Sequence, residues 1–343
     1  MSTPSIFLPN DFLDDFLKEA EKAKHSIYLQ SMNFEAGNVL SKIEKVLLDA
    51  LSRGVRVNIN HDWVSQVFIN GDLSFFPSIS SKERIHGKEL HKKSQEIEEN
   101  LRAHGATFIT TNTPSMLNRM LPMVRRNHIK LYIVDEAIAW MGGVNLFDEA
   151  FEKIDIMIKF DEEKIVDGLV KQFFMVNQLR SPVDYKLQLT SVENLFVDTG
   201  KFGSSIIYTE AMRKIDSAEK SIIFISQFVP DGPLLQKLIK ASKRGVKVDV
   251  VTSTKKNSLF TSYPTRLTYL YFQYILPKYP LITLTHRLKD VHAKIISVDG
   301  DCAMVGSHNY TYSGVLFGTE EIMMQTTDKD LVKRIEDFAL KDK

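Results

Sequence analysis

The sequence predicts an α/β fold of two similar lobes, a pseudo-dimer in which each lobe is a largely parallel or mixed sheet flanked by helices. Two observations predict it: the helix and strand patterns of the first half return in the same order in the second half, and one polar motif occurs once in each half. A chain of 343 residues is long enough for two ordinary domains or two fused halves. We expect the lobes to span residues 1–180 and 181–343.

The first half opens with two amphipathic helices, each followed by a strand. Apolar residues at helical spacing predict helices at 11–24 and 39–51, and a glycine at position 54 marks the expected end of the second. Alternating apolar residues predict strands at 26–31 and 55–59. This strand-helix-strand order implies right-handed crossovers and a sheet covered by helices.

The second half repeats that order. Its pattern predicts a helix at 210–220, a strand at 221–226 and a second helix at 233–244 with a proline in its first turn. The segment Arg244-Gly-Val-Lys-Val248 also mirrors Arg53-Gly-Val-Arg-Val57. Two homologous halves are the simplest interpretation.

Three other stretches interrupt the repeat. Proline and glycine residues near 177–203 predict a linker between the lobes. A helix at 82–104 mixes charges of both signs, which is typical of a solvated surface. The aromatic run from Tyr263 to Tyr274 is interpreted as core packing, with a lipid-facing surface as the alternative.

The repeated motif joins a histidine and a lysine to an aspartate and a glycine-rich turn that ends in asparagine. In both copies four residues separate the lysine from the aspartate, and six separate the aspartate from the first glycine. A period of two places the histidine and lysine on one strand face, and a hairpin turn at Asp135-Glu136 or Asp299-Gly300 brings the asparagine back beside them. The candidate catalytic residues are His128, Lys130 and Asn145 in the first copy and His292, Lys294 and Asn309 in the second.

These residue types suit phosphodiester transfer. A neutral imidazole can attack phosphorus while a second, protonated imidazole gives its proton to the departing oxygen. Ammonium and amide donors stabilise the negative charge that gathers in the transition state. We therefore expect no metal ion and no cofactor, and a lysine two residues after each histidine argues against a zinc site.

The doubled HxKxxxxD pattern resembles the phospholipase D superfamily, in the two-motif branch that includes cardiolipin synthases. The resemblance implies a phosphohistidine intermediate, with His128 as nucleophile and His292 as general acid and base. It also implies an acidic residue hydrogen-bonded to a motif histidine. Asp155 and Glu321 head matching apolar strands and are the candidates, with Glu320 as an alternative to Glu321.

Four more residues in or beside the motifs have predicted roles in substrate binding or in the hairpins. Arg126 could hold a second phosphate by bidentate hydrogen bonds, the alternative being a solvated charge. Ser307 stands where the backbone should approach a ligand closely, and we predict that it contacts substrate. Asp135 and Asp299 more plausibly brace their hairpins than touch phosphate.

The composition limits the class of substrate. Lys and Arg number 44 against 43 acidic residues, so the net charge of +1 gives no general attraction to nucleic acid. We predict a cardiolipin synthase-like phosphatidyltransferase that acts on a phosphatidylglycerol-like phospholipid and makes peripheral membrane contact. The alternatives are a metal-independent nuclease or nucleic-acid-end phosphodiesterase, and a non-catalytic lipid- or partner-binding protein.

The cellular setting follows from what the sequence lacks. No secretory leader and no run of eighteen apolar residues occurs, which predicts a cytoplasmic protein whose furthest membrane association is peripheral contact with the inner face of the cytoplasmic membrane. The single Cys302 excludes an internal disulfide. A chain that carries both motifs is expected to work as a monomeric pseudo-dimer.

Overall fold

The computed structural model describes residues 4–65, 81–113, 124–175, 183–253 and 264–341. By their contacts the residues form two compact units, the first comprising 1–152 with 157–181 and the second 153–156 with 182–343. The short segment 153–156 thus belongs with the second half of the chain. The assignment of 1–180 and 181–343 as two domains stays a prediction.

The first unit contains a seven-stranded mixed sheet in the order β1-β7-β6-β5-β2-β3-β4. Strands β2, β3 and β4 run parallel, and the other neighbours are antiparallel. Its strands are β1 (Ser5–Phe7), β2 (Ser26–Ser31), β3 (Arg56–Asp62), β4 (Thr107–Thr111), β5 (Leu131–Val134), β6 (Ile138–Gly142) and β7 (Met157–Phe160).

Helices pack on this sheet as their apolar spacing predicts. From α1, Phe12 and Phe16 contact the rings of Tyr132 and Trp140 inside the core of the first unit. The predicted strand at 26–31 and the predicted helices near 11–24 and 39–51 are confirmed within three residues at either end. The helices are α1 (Pro9–Glu21), α2 (Asn38–Ser52), α3 (Ser81–Ala103), a 3-10 helix (Asp148–Glu152) and α4 (Glu163–Met175).

The second unit contains an eight-stranded mixed sheet in the order β12-β11-β10-β13-β14-β15-β9-β8. Its first six strands correspond in order to β4-β3-β2-β5-β6-β7 of the first sheet, with the same parallel and antiparallel pairs. The prediction of two similar lobes is therefore confirmed. The strands are β8 (Tyr185–Gln188), β9 (Glu193–Thr199), β10 (Ser221–Ile225), β11 (Lys247–Ser253), β12 (Ile282–Arg287), β13 (Ile295–Val298), β14 (Cys302–Gly306) and β15 (Glu320–Thr326).

Two sequence-based boundaries in this unit were wrong. The helix predicted at 210–220 begins earlier because the Ser205 hydroxyl accepts the Tyr208 amide and caps it. The linker predicted near 177–203 instead contains the antiparallel pair β8 and β9, which extends the sheet. The helices are α5 (Ile206–Asp216), α6 (Gly232–Lys243), α7 (Pro264–Ile275), a 3-10 helix (Leu276–Lys278), α8 (Tyr312–Phe317) and α9 (Lys329–Leu340). No helix in the described ranges combines the length and apolar character needed to cross a bilayer.

The half-buried carboxyl group of Glu35, near α2, leads to a prediction about stability. Burial, with Glu149 and Asp148 nearby, raises the pKa of Glu35 from 4.5 to about 7. When the pKa of an acid is higher in the folded than in the unfolded protein, the protonated acid stabilises the fold. This contribution is complete at pH values below the pKa of the unfolded state and is lost as the pH rises through the pKa of the folded state.

Glu35→Gln should therefore be more stable than the wild type at about pH 8, by ~1–2 kcal/mol after allowance for solvent screening, and should show little gain near pH 4. Urea unfolding at both pH values measures this difference. Glu163→Gln, on the exposed side of α4, is the matched control and should leave the pH dependence unchanged. An unchanged pH dependence in Glu35→Gln would contradict the raised pKa.

Candidate functional site

In each unit the motif histidine and lysine were predicted to lie in a strand, but in the structure they precede it. Strands β5 and β13 begin at Leu131 and Ile295, so the predicted extension of the strand through His128 and Lys130 was wrong. The last pair between β2 and β5 joins Gln30 to Leu131. The motif histidine and lysine therefore lie just beyond the strand end of each sheet.

The two motif aspartates brace the hairpins, as predicted. Asp135 accepts the backbone amides of Lys24, His25 and Ser26, and Asp299 accepts the three matching amides that open β10. Burial alone would raise the pKa of each carboxyl group, but these amides lower it below its usual value. Both carboxylates are thus held ionised on the backbone of the neighbouring strand.

Asp135→Asn tests this bracing role. The amide keeps the shape but weakens three charge-assisted hydrogen bonds, so the free energy of unfolding should fall by ~1–2 kcal/mol. Chemical denaturation measures the loss, and turnover well below the melting temperature should stay within about twofold of the wild type. If the turnover of the folded variant fell by more than about a hundredfold, Asp135 would have a role in the chemistry.

The motif lysines are buried beside their histidines. Lys130 donates from Nζ to the His128 carbonyl oxygen at 2.5 Å, and Lys294 donates likewise to the His292 carbonyl oxygen. Both lysines are 1% exposed, which is rare for an ammonium group unless acceptors surround it. Each motif therefore fixes a positive charge against its histidine.

The asparagines return beside serines that end the neighbouring strands. Ser31 donates to Asn145 Oδ1 at 3.4 Å and accepts the Leu146 amide at 3.2 Å. In the second unit Ser226 donates to the Asn309 carbonyl oxygen at 2.9 Å. Sequence reasoning did not single out these serines, although both end matching strands and the internal repeat could have identified them.

His292 has a buried carboxylate partner within the second unit. Its Nδ1 donates to Asp155 Oδ2 at 2.7 Å, and the other carboxylate oxygen of Asp155 accepts the Ile156 amide at 2.9 Å. The segment is held there by backbone bonds from the His292 and Ala293 amides to the Ile154 carbonyl. These contacts fix the ring orientation and leave Nε2 as the nitrogen available for chemistry.

The charges around this pair act in opposite directions. Burial would raise the pKa of Asp155, but His292 and Lys294 lower it, so the carboxylate stays ionised. Burial and Lys294 lower the pKa of His292 to about 3 against the opposing effect of Asp155. The ring is therefore neutral near pH 7 in these surroundings. A phosphodiester anion bound beside it would raise its pKa.

The second acidic candidate and Ser307 contact each other. The Ser307 hydroxyl donates to Glu321 Oε2 at 2.5 Å and accepts the Ile322 amide at 3.0 Å. Glu321 is 2% exposed, whereas Glu320 is half-buried. Glycine is required at 306, where a Cβ would overlap the Ile322 carbonyl oxygen. The hydroxyl of Ser307 therefore holds Glu321, and the contact of Ser307 with substrate stays a prediction.

Arg126 lies in a buried ion pair, contrary to its predicted contact with phosphate. Its guanidinium bonds Asp62 at 2.7 Å and also donates to the Val124 and Asn112 carbonyl oxygens. Asp62 in turn accepts the Asn127 amide at 2.7 Å. Arg126 is thus occupied by protein acceptors and positions the backbone that leads into His128. Asp62 was not recognised from the sequence, because the strand predicted at 55–59 stops short of it, whereas β3 continues to Asp62.

His308 is another residue that the sequence analysis passed over. Its side chain is buried, and its Nδ1 accepts the Tyr310 amide at 2.8 Å, which puts the ring proton on Nε2 in the neutral form. The first motif has Val144 at this position. Across the described parts of the chain, no group of three or more His, Cys, Asp or Glu side chains is arranged to hold a metal ion.

Two matched hairpins, each with a histidine, a buried lysine and an asparagine, carry the doubled motif of the phospholipase D class. The family model described as "Cardiolipin synthase, PLD-like domain" matches residues 16–176 and 211–342. The chain belongs to this family, in the cardiolipin synthase-like branch of the phospholipase D superfamily.

Curated relatives agree with this placement. The chain is 22% identical over 334 residues to cardiolipin synthase A of Pectobacterium carotovorum, covering 88% of this chain and 60% of that protein. It is 24% identical over 325 residues to cardiolipin synthase of Clostridium perfringens, covering 88% and 62%. The chain thus spans about 60% of the length of these relatives.

The solved structures share the fold. Phosphatidylserine synthase of Haemophilus influenzae superposes with a TM-score of 0.70 at 11% identity, covering 98% of this chain and 85% of that one. Polyphosphate kinase of Porphyromonas gingivalis gives 0.62 at 12% identity, covering 98% and 50%.

Proposed function

We propose that the chain is a phosphatidyltransferase of the cardiolipin synthase type, which moves a phosphatidyl group between lipid alcohols and hydrolyses phospholipid as a side reaction. The observation that carries the proposal is the contact of His292 with the buried, ionised Asp155, next to the buried Lys294. A ring oriented by a carboxylate and flanked by an ammonium group suits proton transfer at a phosphate ester. The family and the names of its curated relatives support the lipid substrate.

The chemistry takes two displacements on one phosphorus. The bound phosphodiester anion raises the pKa of His292, and Nε2 of this ring takes up a proton before the first step. Nε2 of His128 then attacks phosphorus, the bond to the first lipid alcohol breaks, and His292 gives its Nε2 proton to the departing oxygen. In the second step His292 takes the proton of the incoming alcohol, whose oxygen displaces His128. The phosphodiester is restored and both rings return to their starting protonation states.

The remaining candidates act on charge and orientation. Lys130, Lys294, Asn145 and Asn309 supply positive charge and donors to the phosphoryl oxygens. Asp155 stabilises the imidazolium form of His292. By the internal repeat we assign Glu321 the corresponding role for His128, with the Ser307 hydroxyl keeping its carboxylate in place.

We infer that one chain carries out the whole cycle, because both motifs and both lobes, 1–180 and 181–343, lie in one polypeptide. The donor is a phosphatidylglycerol-like phospholipid, which the chain reaches by peripheral contact with the membrane. The acceptor is a second lipid alcohol, or water in the side reaction.

The direct test incubates purified protein with phosphatidylglycerol vesicles and a chelator, and measures the lipids by mass spectrometry. Cardiolipin should form with the wild type and not with His128→Ala. Unchanged lipid from folded protein would overturn the proposal, and cleavage of single-stranded DNA by the same preparation would assign the site to a nuclease.

A further inference from the structure

The outward face of α7 is an apolar stripe. The inner side of this helix places Phe272 and Ile275 in the core of the second unit. Its outer side carries large apolar residues three and four positions apart, which is the spacing of one helix face. They are Leu267, Leu270, Tyr271 and Tyr274, with exposures of 57%, 51%, 52% and 69%.

The interpretation of this aromatic run as core packing is therefore wrong for the residues on the outer side. Tyr263, where the run begins, lies outside the described residues. Isolated exposed apolar residues are ordinary on protein surfaces, but a continuous stripe marks an interaction surface.

The stripe belongs to the same end of the sheet as the motif. Tyr269 of α7 hydrogen-bonds His286 of β12 through its hydroxyl at 2.8 Å. Leu288 follows two residues later and is 96% exposed. Four residues then lead to His292, a path of at most about 14 Å. An apolar surface on α7 and Leu288 is thus tied to the segment that delivers the catalytic ring.

Exposed cations flank this surface. Among the described side chains from 267 to 290, Lys278 and Lys289 are exposed, Arg287 is buried, and Asp290 is the exposed acidic residue. Lys278 lies over the Tyr274 ring with its Nζ 4.9 Å from the ring centroid, and Lys289 follows the exposed Leu288. Cations beside apolar and tyrosine side chains match the headgroup region of an anionic bilayer.

We propose that the outer face of α7 together with Leu288 docks the chain on the surface of an anionic lipid bilayer, next to His292. The leucines enter the acyl boundary, the tyrosines lie at headgroup level, and Lys278 and Lys289 contact lipid phosphates. This inference rests on the proposed lipid substrate, and it names the surface through which that substrate is reached.

The test measures vesicle binding separately from turnover. Sedimentation with vesicles of phosphatidylglycerol and phosphatidylcholine should show that Leu270→Gln with Tyr274→Gln lowers the partition coefficient at least about tenfold. The matched control, Leu8→Gln with Phe202→Gln, changes two other exposed apolar residues and should bind as the wild type does. Lys278→Glu with Lys289→Glu should weaken binding at low salt and have less effect at high salt.

Turnover distinguishes docking from the proposed chemistry. The α7 variant should lose cardiolipin formation on vesicles but keep it on lipid dispersed in detergent, where no bilayer has to be engaged. If the chain forms no cardiolipin under either condition, the proposed function fails while the binding result still decides the docking surface.

Other results would overturn the inference. Equal vesicle binding by the wild type and the α7 variant would exclude this face. Should the α7 variant misfold, Leu288→Gln and the lysine variant test the same surface without altering the helix. If the α7 variant binds vesicles as the wild type does but loses a dimer in sedimentation velocity, the face is a contact with a second copy. If the variant selectively loses binding to single-stranded DNA, the face binds nucleic acid.

Discussion

Replacing either motif histidine with alanine should lower kcat for cardiolipin formation by at least about 10⁴-fold, because one ring forms the covalent bond to phosphorus and the other moves the proton. The double variant should lose little more than the single variants, since residues that act as one unit are not additive. His104→Ala, which removes an exposed histidine of α3's C-terminal end, should keep wild-type turnover. Equal activity of the wild type and the His128 variant would remove this histidine from the mechanism.

Trapping the intermediate assigns the two roles. His292→Ala should accumulate an acid-labile phosphohistidine on His128, because attack can still occur but no base activates the acceptor alcohol. His128→Ala should form none. The opposite pattern would make His292 the nucleophile, a role to which its lowered pKa of about 3 and neutral ring are suited.

Asp155→Asn should lower kcat by about 10²–10⁴-fold. The amide can present a donor to Nδ1 and select the wrong tautomer, and it cannot stabilise the imidazolium form. Asp155 raises the pKa of His292, so its removal should shift the limb of the pH profile that belongs to His292 to lower pH. Steady-state rates across pH, with Asp167→Asn on the exposed side of α4 as control, measure both effects.

A purely structural role for Asp155 would give a different result. Loss of stability with an unchanged pH profile and near-normal kcat in the folded fraction would contradict the positioning role. Asp155→Glu, which keeps the charge but moves it, should recover part of the activity if the hydrogen bond to Nδ1 is what matters.

Much of the fold could be predicted because its signals are local. The spacing of Phe12 and Phe16 identifies α1, and the turn at Asp299-Gly300 has positive φ at both residues, as a hairpin of this type requires. The start of β5 was missed because it depends on which residues of β2 pair with it, which is a tertiary property. The cap at Ser205 was missed since a capping serine resembles any other loop serine until its amide partner is known.

In the candidate site, too, the features with local sequence signals could be predicted, and those that depend on tertiary contacts could not. Identical spacing selected His128 and His292 as a pair, and its place at the head of an apolar strand made Asp155 a candidate. The sequence did not indicate which ring Asp155 contacts, because the 137 positions between His292 and Asp155 are bridged only by folding. It also could not separate a phosphate-binding Arg126 from a buried one, since the partner Asp62 lies 64 positions away.

Residues 153–156 constrain how the gene could be cut or could have arisen. A polypeptide starting at Pro182 would contain His292 and Lys294 but lack the carboxylate that orients the ring. One ending at Ser181 would keep Asp155 without that ring. A single-lobe ancestor could therefore orient this histidine only if a second polypeptide supplied the segment with the carboxylate. Fusion of two copies keeps that segment in the same chain. A fragment that begins at or before Lys153, rather than one that begins at Pro182, therefore retains every group of the second motif.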